Sequence, residues 1–232
     1  MSPHKLTLAC SILASACISG IATAEEPTGD HQFSANVAMT TDYIWRGISQ
    51  ADNGPAIQGG FDYAHASGFY LGTWGSNVDF GPGDDASMEI DIYGGYAGEF
   101  NGVSFDLGII HYDYPSESDD NFDEVYLGLG YGFLSAQVSH TDEFGEGADD
   151  ATYYEAGADF ELPYSVGLAL HVGHYDLDPD DGEDYTDWKV AVSREYAGFN
   201  FELAYTDTDL SDRECGGNYC DGRGIFTVSK EF

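Results

Sequence analysis

Apolar and polar residues alternate with period two along almost the whole chain from residue 33 onward. Successive side chains of a β-strand point to opposite faces, so such alternation marks ribbons with one apolar and one polar face. The first segment reads Phe33, Ala35, Val37 and Met39, continued by Tyr43 and Trp45, with Ser34, Asn36, Asp42 and Arg46 between. Ile57, Phe61 and Tyr63 alternate with Gln58 and Asp62; Met88, Ile90 and Ile92 alternate with Glu89, Asp91 and Tyr93. Val103 to Ile109 alternates with Ser104, Asp106 and Gly108, and Val125 to Tyr131 with Glu124, Tyr126 and Gly128. Further segments run over 134–138, 154–162, 166–172, 188–192, 199–205 and 226–232, while 69–78 alternates poorly. No 3.6-residue apolar stripe is sustained, and Gly interrupts nearly every segment. The pattern predicts an all-β chain of twelve strands without helices.

The connections sharpen this prediction because they alternate in length and chemistry. Short ones fall near 65–67, 98–101, 132–133, 163 and 196–198. Long acidic ones fall near 47–56, 79–87, 113–122, 142–150, 176–185 and 206–223. Such a meander suits an antiparallel up-and-down transmembrane β-barrel with short periplasmic turns and long extracellular loops. Aromatic residues gather at strand ends: Tyr43, Trp45, Tyr112, Trp188 and Tyr205 toward the long loops, Tyr63, Tyr96, Phe133, Tyr164, Phe199 and Phe232 toward the short turns. Paired girdles of this kind are expected at the two membrane interfaces. A secreted β-sandwich or soluble barrel also alternates, but it does not require ordered alternation of long and short connections.

The N-terminus reads as an address. A short region carrying Lys5 precedes the apolar run Leu6 to Ile21, and Ala22-Thr23-Ala24 forms a small-x-small site before Glu25. This is the pattern of a cleaved secretory signal peptide, residues 1–24, leaving a barrel over 25–232. The run is short for a transmembrane anchor, which needs roughly 20 residues. Cys10 and Cys17 leave with the signal, and Cys215 and Cys220 remain. Export to an oxidising compartment predicts a local disulfide between them.

Charge narrows the function classes. The 232 residues carry 42 Asp+Glu against 7 Lys+Arg, a net charge of −35. A surface this acidic lacks the Lys and Arg clusters that nucleic acid requires. The 30 Gly and 17 Tyr suit short strands and tight turns.

One stretch resembles a known family. Thr41-Asp42-Tyr43-Ile44-Trp45-Arg46-Gly47-Ile48-Ser49-Gln50, then Pro55-Ala56-Ile57-Gln58-Gly59-Gly60, is similar to the start of the TorF-type porin family. Trp74-Gly75-Ser76-Asn77-Val78 and Glu89-Ile90-Asp91-Ile92-Tyr93-Gly94-Gly95-Tyr96 continue the likeness in order. The resemblance implies a Gram-negative outer-membrane barrel that conducts solutes, and it supplies no catalytic residues.

If the apolar faces meet lipid, the polar faces line a lumen. The candidate lining set is Asp42, Arg46, Gln58, Asp62, Glu89, Asp91, Tyr93, Asp106, Glu124, Tyr126, Glu155, Asp159 and Lys189, joined by Asp187 and Glu202. Arg46 opposite Gln58 would place Asp42 opposite Asp62. Inward Gly128, Gly130 and Gly132 would widen the lumen, and Tyr93 and Tyr126 would narrow it. Acids dominate, so a channel here is expected to prefer cations, and charge reversal at Glu89 and Asp91 to weaken that preference. The expected function is passive diffusion of small solutes across the bacterial outer membrane. The alternative is a non-conducting barrel whose acidic loops bind a partner, a polysaccharide or divalent ions. The run Asp176 to Gly182 departs from an EF-hand because its Gly falls one position late. Enzymatic groups are sparse: His65 and Ser67 adjoin without a third partner, His140 and Ser139 face opposite sides, and His171 and His174 differ in parity. No enzyme, cofactor or structural metal is expected.

Overall fold

The computed structural model describes residues 29–81, 84–115, 117, 120–143, 150–178 and 182–232. The proposed signal peptide, and parts of the acidic runs at 119, 149 and 179–181, lie outside these residues. Strand β1 (His31–Thr40) is followed by two short strands, β2 (Ile44–Trp45) and β3 (Ile48–Ser49). Then come β4 (Ala56–His65), β5 (Phe69–Ser76), β6 (Glu89–Phe100), β7 (Val103–Asp113) and β8 (Phe122–Tyr131). The second half contains β9 (Leu134–Thr141), β10 (Ala151–Leu162), β11 (Val166–Leu177), β12 (Tyr185–Tyr196), β13 (Phe199–Thr208) and β14 (Arg223–Glu231).

Twelve of these strands close an antiparallel barrel in the order β1-β14-β13-β12-β11-β10-β9-β8-β7-β6-β5-β4, with β1 returning to β4. Closure joins the first and last strands: Ala35 N–H donates to the Phe232 carbonyl at 3.2 Å, and Phe232 N–H returns to Ala35 at 2.9 Å. A closed sheet leaves no unpaired edge, so every central backbone group is satisfied within the wall.

Alternation sets which way each side chain points. Phe33, Met39, Ile57, Phe61, Leu107, Leu129 and Leu203 are exposed on the outside. Gln58, Glu89, Asp91, Tyr93, Glu124, Tyr126, Asp187 and Glu202 are buried inside. This is the inverse of a soluble protein, whose apolar faces are buried. Lys230 stands on the outer face near the barrel end, with Nζ 5.2 Å and 5.0 Å from the ring centroids of Phe199 and Phe232.

The segment 69–78 contains an ordinary strand, β5. Its alternation is masked because its inward positions, Tyr70, Gly72, Trp74 and Ser76, include two large aromatic residues. Two expectations about the first segment are overturned. Strand β1 ends at Thr40, so Tyr43 and Trp45 do not continue its outer face. Tyr43 is buried inside, as is Tyr112, so neither belongs to an outer aromatic girdle. Trp188 and Tyr205 do stay outside, paired at 5.4 Å. The register also differs: Gln58 lies opposite Ala38 and Asp62 opposite Ser34, because Asp42 and Arg46 lie beyond the strand.

Candidate functional site

The connection after β1 folds back into the barrel. Ile44 pairs with Ser49 and Trp45 with Ile48, making a hairpin around Arg46 and Gly47. Both turn residues have positive φ, 47° and 83°, as a two-residue hairpin turn of type I′ demands. Gly47 is also required by space. A Cβ there would lie 2.5 Å from Thr208 Cγ2 and 2.7 Å from Asp187 Cβ, so the turn seats directly against the wall.

The hairpin crosses the lumen and touches most of its circumference. Tyr43 packs edge-on against Trp74 of β5 and donates its hydroxyl to Glu89 Oε1 of β6 at 2.8 Å. Trp45 meets Tyr112, Phe122 and Tyr175 at ring separations of 6.1, 6.4 and 6.0 Å. Arg46 Nη2 pairs with Glu124 Oε2 of β8 at 2.5 Å, with both side chains almost fully buried. Its guanidinium lies over the rings of Trp45, Tyr153 and Tyr175 at 4.2, 4.3 and 4.7 Å. A planar cation suits this position because it can stack on aromatic faces while pairing in-plane with a carboxylate.

The last long connection holds the hairpin from outside. Ser49 N–H donates to the Tyr219 carbonyl at 3.0 Å, and Asn53 Nδ2 donates to Asn218 Oδ1 at 3.2 Å. Arg223 pairs with Asp42 Oδ2 at 2.7 Å and also contacts Asn53 and the Asn218 carbonyl. The Cys215–Cys220 disulfide closes the short loop that carries Asn218 and Tyr219. Nearby, the hydroxyl and amide of Ser211 donate to Glu214 and hold its carboxyl below the ordinary range. Replacing both cysteines with serine is expected to remove about 2 kcal/mol by the chain-entropy account. The barrel should stay closed on an unboiled gel while conductance becomes noisier; loss of the folded band would show a role beyond this loop.

Several inward acids are hydrogen-bonded by tyrosine hydroxyls rather than paired with cations. Tyr93 donates to Asp62 at 2.5 Å, Tyr70 to Asp106 at 2.6 Å, Tyr114 to Glu89 at 3.0 Å and Tyr153 to Asp187 at 2.7 Å. Glycines on neighbouring strands make room for these rings. A Cβ at Gly72 would fall 2.3 Å from the Tyr93 ring, one at Gly108 2.4 Å from the Tyr126 hydroxyl, and one at Gly173 1.9 Å from the Tyr153 hydroxyl. This explains the joint abundance of Gly and Tyr. Gly132, by contrast, sits in a turn with φ 64° and lines nothing, because β8 ends at Tyr131.

The two sides of the lumen therefore differ. Against β5–β8, the hairpin packs with Trp74, Tyr93, Tyr112 and Tyr126 into one apolar cluster. Against β10–β14, β1 and β4 a cavity of about 110 Å³ remains. Gln58, Glu155, Asp187, Lys189 and Glu202 face that cavity, with Asp42 and Arg46 on the hairpin side. On its wall, His171 stands between Asp187 at 3.1 Å and Glu155 at 3.4 Å. Of the other candidates, Glu89, Asp91 and Glu124 are buried against the hairpin, while Asp62, Asp106 and Tyr126 belong to the tyrosine-lined side. Asp159 is exposed on β10, its amide bonded to the Phe133 carbonyl at 2.9 Å. No group of three or more His, Cys, Asp or Glu side chains among the described residues is arranged to hold a metal ion. The hairpin itself was hidden by the continued alternation through Tyr43 and Trp45. Its signal was the Arg46-Gly47 pair between Ile44-Trp45 and Ile48-Ser49.

The fold is similar to that of solved porins. The KdgM porin aligns with a TM-score of 0.58 at 11% identity, covering 86% of this chain and 98% of that one. A KdgM porin in complex with disordered oligogalacturonate gives 0.56 at 11% identity, covering 86% and 97%. The NanC porin gives 0.53 at 8% identity, covering 84% and 97%. At these identities the likeness concerns the barrel fold. No curated protein matches the chain. A family model does match, over residues 24–232, and the chain accordingly belongs to the Gcw_chp family, described as bacterial protein of unknown function.

Proposed function

We propose that this protein is a narrow outer-membrane channel for passive diffusion of small solutes, with a preference for cations. The observation that carries the reading is the combination of an apolar exterior with an acid-rich interior that keeps a cavity beside the inward hairpin. An outside of Phe, Leu, Ile and Val is the surface that hydrocarbon accepts, and a polar inside is what a solute path needs. The porin fold of the KdgM and NanC structures supports the same reading. Residues 1–24 act as the cleaved export signal, and the long connections face the cell exterior.

Twelve strands lie between barrels that side chains fill and barrels that leave wide channels. Here the hairpin narrows the lumen further, so large solutes are excluded. A second reading, a non-conducting barrel whose loops bind a partner, polysaccharide or divalent ions, is favoured by the dense packing of Trp45 and Arg46 across the lumen. Liposome swelling separates the two. Proteoliposomes should swell in small neutral or cationic solutes such as glycine amide and remain tight to disaccharides. No swelling in any solute, from a correctly folded barrel, would overturn the channel and leave the loop-binding reading.

A further inference from the structure

Charge on the outer face of the barrel is sorted by height. Within the described barrel strands, the acidic side chains with outward parity are Asp113, Asp123, Asp176 and Asp207. All four stand where strands meet the long connections. The Lys and Arg residues with outward parity are Arg194 of β12 and Lys230 of β14, and both stand at the short-turn end. Arg194 shares its face with the exposed Val192 and Tyr196, and Lys230 shares its face with the exposed Phe226 and Phe232. A chain of net charge −35 therefore gathers its outward cations on one patch of three neighbouring strands.

The two cations face each other across β13. Arg194 lies opposite Phe201, and Phe201 lies opposite Val228, two positions before Lys230. With strands about 4.8 Å apart and a rise of about 3.4 Å per residue, their Cα atoms are roughly 12 Å apart. The side chain of Lys230 shortens this gap. Its Nζ sits 5.2 Å from the ring centroid of Phe199, a β13 residue paired with Tyr196 of β12. No strand carboxylate shares the patch: Glu195 and Glu231 take the inward parity, opposite Asn200 and Asn36. The cross-strand neighbours are instead Val37, Val166 and Phe201. Among the described residues neither cation is paired with an acid. A snorkelling side chain needs only the right height. These two also share a lateral position, two strands apart in a barrel of twelve.

We infer that this patch binds an anionic glycerophospholipid of the periplasmic leaflet, its phosphate held between Arg194 and Lys230 and its acyl chains lying along Val192, Phe201 and Val228. A guanidinium fork matches phosphate oxygens, and an ammonium adds a second charge. A zwitterionic headgroup fits less well, because its own cation meets two more. The inference rests on the proposed orientation, with short turns toward the periplasm, and is independent of conduction.

Native mass spectrometry of the refolded barrel tests it, with phosphatidylglycerol and phosphatidylethanolamine of identical acyl chains as probes. Phosphatidylglycerol should bind about 25-fold more tightly, about fivefold for each cation. Arg194→Gln and Lys230→Gln should each lower that preference about fivefold, and the double variant should abolish it. Arg194→Lys with Lys230→Arg should keep it, and Asp123→Asn, at the opposite rim, should leave it unchanged. Heat-modifiable gel mobility confirms that each variant folds. Equal binding of the two lipids, a preference that survives in the folded double variant, or one shifted as much by Asp123→Asn would overturn the site and leave the channel reading standing. Ala197→Cys, in the short turn beside the patch, should resist an impermeant maleimide on intact cells. Its labelling would place the patch in the outer leaflet and overturn the periplasmic lipid. A barrel that holds phosphatidylglycerol here yet passes no current keeps the site and loses the channel.

Discussion

Replacing Arg46 with alanine is expected to raise single-channel conductance severalfold and to lower barrel stability by about 3–5 kcal/mol. Arg46 is the residue by which the hairpin is fastened to the far wall. It pairs with Glu124 at 2.5 Å and stacks over the wall rings of Tyr153 and Tyr175 as well as its neighbour Trp45. Removing the cation leaves Glu124, 2% exposed, as an uncompensated buried charge. The hairpin then keeps Tyr43 and Trp45 but loses its electrostatic anchor, so it should leave the lumen part of the time. Arg46→Met combined with Glu124→Leu removes both charges and should recover most of the stability, because a well-packed apolar pair replaces a buried ion pair at little net cost. Stability is read from urea unfolding followed by gel mobility, and conductance from planar bilayers. An Arg46→Ala barrel with unchanged conductance and a loss below about 1 kcal/mol would show that the hairpin is held by its aromatic residues alone.

Neutralising the open wall should change selectivity more than any other pair of substitutions. Glu155→Gln with Glu202→Gln is expected to lower the potassium-to-chloride permeability ratio severalfold at about 0.1 M salt, where the screening length is about 10 Å. Both side chains face the cavity, and neither makes a hydrogen bond to the hairpin. Glu89 and Asp91 are the poorer choice for this test. They are 2% and 4% exposed, and Glu89 accepts hydrogen bonds from both Tyr43 and Tyr114. Charge reversal there would disturb the packing of the hairpin before it changed the field in the path. An unchanged ratio in the Glu155/Glu202 variant would move the solute route away from β10–β14.

The barrel was legible in the sequence because strands with an apolar outer face and a polar inner face write a period of two into the chain, and because the connections alternate in length. The hairpin was not legible. Its Tyr43 and Trp45 keep the same parity as Phe33 to Met39, so a plug folded inward and a strand running onward look alike in the pattern. The inward acids were readable as a set, since Asp62, Glu89, Glu124 and Glu155 share the polar parity of their strands. Their division into a packed side and an open side was not, because it depends on where the hairpin lies across the lumen. The tyrosine–carboxylate pairs were likewise hidden, since Tyr93 with Asp62 and Tyr70 with Asp106 join residues 31 and 36 positions apart. The glycines that admit those rings looked like a compositional excess until Gly72 and Gly173 were seen under Tyr93 and Tyr153.

The most direct measurement is the reversal potential of the purified barrel in a planar bilayer across a potassium chloride gradient. Discrete conductance steps with a potential of the sign for potassium permeation are the predicted result. Steps of chloride selectivity would contradict the assignment of the acid-lined lumen as the solute path. A folded barrel that shows no steps would contradict the channel itself.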